Sequence, residues 1–474
     1  MSRTVSPKPR TESNVKNLVL AAALATALSS VSTGVQAAGT SSELAQIREQ
    51  LEALLQRVDR LEKENSELKS ENQSLKATDE KLLANDDYLK SEARGLRKET
   101  AQQAVEVAKT KGADWASRVA ITGDMRYRYE MIEDDTSSGG QQTADRYRER
   151  IRARLVATAR VADNLTVGIG MTTAENGDPR SGNQSLNNVF NKKPFDLDLA
   201  YFDWRFADWG NLIGGKMKQP FVKPGQSLFW DNDITPEGVA VGFQRGMWFG
   251  SAYNYWLLET SGPESARTAD TLLHGVQVGA RMPMGSNSML MLAAHYYDLS
   301  AAVGRSPFYN GGGNVNNANG NTVIDLDPSA GTNAVLAYNY EVVNLSAELN
   351  TQLGEVPVQL WADVAQNQDP SDNNDAWAAG VLFGKASNYR TWELGAGYQK
   401  IEKDALFAQL IDSDFAGGFS DNAGWVLRAG YAPVRNWIIN ATYFLNERNV
   451  DVANSAAQRD VDYERLQVDF NVKF

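Results

Sequence analysis

Hydrophobic spacing along the chain changes once. From Leu44 to Leu82 apolar residues return at alternating intervals of three and four, which predicts an α-helical seam of more than five heptads. The a positions are Leu44, Leu51, Val58, Asn65, Asn72 and Asp79; the d positions are Ile47, Leu54, Leu61, Leu68, Leu75 and Leu82. Arg57 with Glu62, Glu64 with Lys69 and Glu71 with Lys76 are opposite charges at g and the following e, the contact two parallel helices make. A lone solvated helix has no need of an unbroken leucine seam. The expectation is a coiled coil over residues 38–84 that joins copies of this chain in parallel through Leu51, Leu54, Val58, Leu61, Asn65, Leu68, Asn72 and Leu75. The two asparagines weaken the seam but fix its register. Dimer and trimer are not separated by these residues. Residues 85–114, with Gly95 and Gly112, read as a looser helical linker.

After Trp115 the period becomes two. In VAITGDMRYRYEM, Val119, Ile121, Met125, Tyr127, Tyr129 and Met131 share one face, and Thr122, Asp124, Arg126, Arg128 and Glu130 the other. The pattern recurs in VVNLSAELNTQL, TWELGAGYQ, NWIINATYFL and the final DYERLQVDFNVKF. Connections alternate in length. Short turns fall at 162–164, 207–210, 245–247, 283–287, 354–357, 387–390 and 434–436. Long polar stretches fall at 132–146, 175–194, 220–236, 259–269, 299–338, 368–375, 402–422 and 448–460. About sixteen strands result, with short turns at one end and long loops at the other, as in an outer-membrane barrel. A soluble all-β protein would alternate equally well. The decision for a transmembrane barrel over residues 115–474 rests on charge density in mid-strand, on the apolar C-terminal strand face ending at Phe474, and on aromatics near strand ends. Those are Tyr127, Tyr129, Trp204, Trp248, Trp392, Tyr398, Trp437 and Tyr443.

The N-terminus adds direction. Arg3, Lys8, Arg10 and Lys16 precede a short apolar run, Leu18 to Leu28, and then Val35–Ala37, which predicts a secretory signal peptide over residues 1–37. The chain has no cysteine and two histidines, which excludes disulfides and thiolate sites and leaves little for imidazole chemistry. Its net charge of -12 argues against nucleic acid as a partner. No phosphate loop, HExxH or GxSxG motif occurs. His274 shares a face with Leu272, Val276 and Val278, whereas His295 lies opposite Leu290, Leu292 and Ala294. Two histidines facing opposite ways suit neither a metal pair nor a catalytic dyad, so no enzyme, metal or cofactor is expected.

Several stretches are familiar: GDMRYRYE, RIRARLVATARVADNLTVGIGM, ENGDPRSGNQ, NKKPFDLDLAYFDWRF, GGKMKQPF, WDNDITPEGVA and DYERLQVDFNVKF. Across nearly all of residues 117–474 they resemble a family of porins of Gram-negative bacteria, members of which carry a periplasmic coiled coil before the barrel. The resemblance implies a pore-forming barrel in the outer membrane. It also implies that Phe470, Val472 and Phe474 form the segment read by the barrel assembly machinery. It names no solute.

Phase then assigns the interior. DRYRERIRARLVATA puts arginines at every second position. By phase Arg126, Arg128, Arg148, Arg150, Arg152, Arg154 and Arg160 form one basic wall of the lumen. Asp196, Asp198, Glu175, Asp231 and Asp233 are the candidate acids facing it. Such a wall either selects solutes through a transverse field or satisfies carboxylates and loop backbone. The function expected is passive diffusion of small hydrophilic solutes or ions. The assembly expected is a homo-oligomer, a trimer being favoured, with the coil in the periplasm and in contact with peptidoglycan or not. The alternative is a barrel-anchored tether or adhesin whose coil engages the cell wall.

Overall fold

In the computed structural model two units are described. One comprises residues 49–78 without 50, 51, 54, 55, 58, 62 and 77. The other comprises residues 116–474 without 136, 139–140, 143–144, 175–177, 260–269, 308–317, 327–333 and 452–459. In the first unit every described residue is helical and exposed. Leu61, Leu68 and Leu75, one heptad apart, are 56–57% exposed and so stand as an uncovered apolar line. Leu51, Leu54, Val58 and the segments 1–37 and 85–114 lie outside the described residues.

The second unit is a closed antiparallel barrel. Its strands are β1 Val119–Asp134, β2 Arg146–Ala162, β3 Leu165–Thr173, β4 Phe195–Ala207, β5 Gly210–Lys216, β6 Glu237–Arg245, β7 Trp248–Leu258 and β8 Thr271–Pro283. They continue as β9 Met289–Ser300, β10 Tyr340–Leu353, β11 Val356–Asn367, β12 Asp375–Gly384, β13 Thr391–Ile401, β14 Asn422–Val434, β15 Trp437–Arg448 and β16 Val461–Lys473. Each pairs with the next in sequence, and β16 returns to β1 in the register Asp124↔Lys473 to Asp134↔Tyr463, so no edge is left. Among the described residues the ring thus holds sixteen strands; the two-residue strand Gln184–Ser185 pairs on the flank of β2. The strand number and the placing of short and long connections are those the sequence predicted.

Alternation sets what each strand shows outside. Ile121, Met125, Leu155, Ile169, Leu345, Leu360, Leu394 and Val472 are exposed on the outer face. Aromatics ring it twice. Trp204, Trp248 and Trp392 lie at the short-turn end. Trp256, Trp377 and Trp425 lie at the long-loop end, where Tyr398 stacks on Trp377 at 5.3 Å and meets Trp425 edge-on at 5.1 Å. The terminal strand is stitched to β1 by reciprocal bonds between Gly123 and Phe474, each N–H donating to the other carbonyl at 3.0 Å.

The interior is not uniformly polar. Inward residues of β7 to β13, among them Tyr253, Tyr255, Leu273, Tyr297, Tyr340, Val342, Trp361 and Ile401, pack against three long loops. Phe221, Phe229 and Trp230 come from residues 217–236, Leu336 from 301–339, and Leu406, Phe407 and Ile411 from 402–421. Gly275 makes room for this layer, since a Cβ there would lie 2.1 Å from the Tyr253 ring. One side of the barrel is therefore padded by an apolar core, and the ion pairs concentrate on the side of β1, β2 and β16.

Candidate functional site in the barrel interior

Three adjacent strands build the charged wall. Across β1 and β2 the register sets Arg126 opposite Arg152 and Arg128 opposite Arg150. Like charges directly opposite repel, and the structure answers this with interleaved carboxylates. Asp124 lies opposite Arg154, Glu130 opposite Arg148, and across the closure Asp469 opposite Arg128. Arg128 grips Asp469 with two donors, Nε at 2.6 Å and Nη2 at 2.9 Å. Arg126 donates to Asn471 at 3.1 Å and lies 3.9 Å from Asp469. Fully buried Glu130 is shared by four arginines. It meets Arg148, accepts from Arg465 at 2.5 Å, and lies 3.8 Å from both Arg128 and Arg150.

Loops supply the other acids. Asp414, in residues 402–421, bridges Arg128 at 3.2 Å and Arg465 at 2.7 Å. Burial alone would push its carboxyl up, but Arg465 and Arg128 reverse this and hold it well below the usual range. Asp233, in residues 217–236, accepts from Arg152 at 3.1 Å and Arg154 at 3.3 Å, while Asp124 takes the same two arginines at 3.1 and 2.8 Å. The wall thus holds seven arginines (126, 128, 148, 150, 152, 154, 465) and five carboxylates (124, 130, 233, 414, 469), a local surplus of two positive charges.

Residues 217–236 cross the interior. Val222 exchanges two hydrogen bonds with Gln277 of β8, both 2.8 Å. The Gly225 N–H donates to Glu348 of β10 at 2.6 Å, Ser227 to Asp363 of β11 at 2.5 Å, and Arg428 of β14 to Gln226 at 2.6 Å. The same loop then reaches β2 through Asp233 and β4 through Thr235, which donates to Asp198 at 2.9 Å. Asp231 ties it to the second inward loop, accepting from the Ser413 N–H at 3.0 Å and the Asp233 N–H at 2.8 Å. Burial and the neighbouring Asp412 carboxylate push Asp231 well up. Residues 217–236 are thus the inward-folded loop that spans from β8 to β2, which the sequence did not single out.

Of the sequence-chosen acids, Asp233 meets the basic wall. Asp196 and Asp198 line a pocket of 180 Å³ with Arg152, Arg154 and Asp233. Asp231 serves the loop backbone, and Glu175 lies outside the described residues. Arg160 stands apart from the ion-pair ladder. It lines a larger cavity of 750 Å³ at the short-turn end with Arg118, Arg205, Arg281 and Asp203. Sequence reasoning missed Glu130, Asp469, Arg465 and Asp414 as members of the wall. The first three are in inward phase on β1 and β16 and were findable; Asp414 sits in an aperiodic loop and was not. His295 is buried with Nε2 2.7 Å from the Tyr253 hydroxyl, and His274 is exposed on the outer face. Among the described residues no group of acids and histidines is arranged for a metal.

A family described as "Putative porin" matches residues 133–474, so GDMRYRYE on β1 lies before the matched span. Among solved structures, the trimer form of in-vitro folded OmpT of Vibrio cholerae is similar at 12% identity and TM-score 0.42, over 75% of this chain and 99% of that chain. A loop-deletion mutant of the same protein gives 12% and 0.42 over 75% and 100%. A triple mutant of the Rhodopseudomonas blastica porin gives 12% and 0.40 over 74% and 99%. No curated protein matches the chain.

Proposed function

This chain belongs to the putative porin family, and on that premise we propose that it is an outer-membrane channel through which small hydrophilic solutes or ions diffuse passively. The observation that carries the proposal is the closed barrel with residues 217–236 laid across its interior beside the arginine–carboxylate wall. A loop held at both sides of a barrel narrows it without needing to move, and no energy source is implied. The surplus of positive charge at the wall supports a preference for anions there, since Arg stays ionised and offers several donors. Apolar packing over β7 to β13 supports a narrow passage rather than a wide one.

The uncovered line Leu61, Leu68 and Leu75 supports assembly of copies through a coiled coil. In this reading residues 1–37 are a signal peptide, the coil lies in the periplasm, and the oligomer is a trimer. The C-terminal strand bearing Phe470, Val472 and Phe474 is the segment presented to the assembly machinery. Whether the coil touches peptidoglycan separates a channel from a channel that also tethers the cell wall.

The test is conductance. Purified protein added to planar lipid bilayers should give stepwise ion currents. Properly folded protein that gives no current would leave the tether reading in its place.

A further inference from the structure

One turn breaks the usual rules of turn chemistry. In the long connection between β3 and β4, the Asn191 N–H donates to the Asn188 carbonyl at 2.8 Å, closing a four-residue turn. Its two central residues, Val189 and Phe190, both have positive φ, 38° and 60°. Such positions ordinarily take glycine, asparagine or aspartate, and a β-branched valine there is strained. Nor does packing explain the choice: the two side chains are 93% and 103% exposed, so nothing in this chain covers them. The turn itself is well anchored. Lys193 Nζ donates to the Ser185 carbonyl at 2.6 Å and to Asn191 Oδ1 at 2.8 Å, and the Leu186 N–H donates to Glu149 of β2 at 2.8 Å. Local strain held in place by surrounding bonds, with an apolar pair at its tip, is the pattern of a built contact rather than of a slack loop.

We propose that Val189 and Phe190 insert into the interfacial layer of the outer leaflet, with exposed Lys192 meeting anionic lipid phosphates. Continuity selects this occupant. The turn rises from the long-loop end of the wall where Tyr147, Phe195 and Leu197 are exposed on the outer face of β2 and β4, with Leu186 between. It therefore extends the lipid-facing surface upward. Apolar tips flanked by lysines match the acyl–headgroup boundary, where aromatic bodies bury and ammonium groups stay at the phosphates. A second copy of this chain is the competing occupant. The inference rests on the membrane-spanning reading of the barrel.

The absence of cysteine makes the test direct. Phe190→Cys and, as a control in the middle of the outer face of β10, Leu345→Cys are each labelled with a polarity-sensitive fluorophore and folded into vesicles. The vesicles are phosphatidylcholine alone or mixed with phosphatidylglycerol. The label at 190 should emit to the blue, be quenched by headgroup-nitroxide lipid, resist aqueous iodide, and shift further with the anionic lipid. Lys192→Glu should remove that extra shift. Free quenching by iodide with the Leu345 label still shielded would overturn the proposal alone. Shielding from both quenchers, lost when the oligomer is dissociated, would assign the tip to a second copy and also overturn it. A Leu345 label open to iodide would sink the membrane-spanning reading, and this proposal with it.

Discussion

Replacing Glu130 by glutamine changes no volume but removes one negative charge from among four arginines. Glu130 is fully buried, accepts from Arg465 at 2.5 Å and meets Arg148, with Arg128 and Arg150 each 3.8 Å away. At an effective dielectric of about 20, each unit pair near 4 Å is worth roughly 4 kcal/mol before desolvation is counted. Desolvating the carboxylate offsets much of that, and breaking a buried pair by neutralising one partner typically costs about 3–5 kcal/mol, because the remaining charges stay buried without compensation. Glu130→Gln should therefore lower the unfolding free energy by about 3–5 kcal/mol. Urea unfolding of vesicle-folded protein, followed by tryptophan fluorescence, measures it. Adding Arg148→Met should recover part of the loss, since Glu130 is the carboxylate with which Arg148 pairs. A loss below about 1 kcal/mol, the size expected of an exposed ion pair, would mean that water reaches this site and that the wall is not a buried network.

Three further outcomes are expected. Arg150→Ala with Arg152→Ala should shift the zero-current potential in a salt gradient toward cations, and Asp233→Asn, which frees Arg152 and Arg154 of a shared carboxylate, should shift it toward anions; if neither moves, the wall is structural only. Stability should peak in mild acid. Asp231 and Asp412, raised by burial, stabilise the folded state in their protonated forms and lose that contribution as pH rises through their folded values, whereas Asp414, held low, loses its contribution as pH falls through its own. Urea midpoints that only climb from mild acid to neutrality would refute this. Deleting residues 43–84 should weaken the oligomer on native gels, and unchanged assembly would mean that the barrels associate by themselves.

Much of the fold could be read directly because a strand's side chains alternate with a period of two. With Ile151, Ala153 and Leu155 on the outward face of β2, alternation turns Arg148 to Arg154 the other way, where Arg148 pairs with Glu130 and Arg152 with Asp233. Turn residues and loop lengths likewise determined the number of strands, since each short joint such as Gly246 or Asn436, both at positive φ, ends one span and starts another. The heptads from Leu44 to Leu82 are as regular a pattern in the sequence.

What alternation does not encode is distance across the barrel. That Asp414 meets Arg128 and Arg465 depends on where residues 402–421 settle, and that depends on contacts with residues 217–236, such as Asp231 to the Ser413 N–H. The apolar layer over β7 to β13 is similar. Tyr253, Tyr297 and Trp361 face inward by phase, yet only loops returning into the barrel make that face a core rather than a channel wall. The sequence by itself determined which way each strand residue points, because that is a property of the local backbone. The tertiary structure decided which charges meet and how much of the lumen stays open, because both arise from loops whose contacts are distant in sequence.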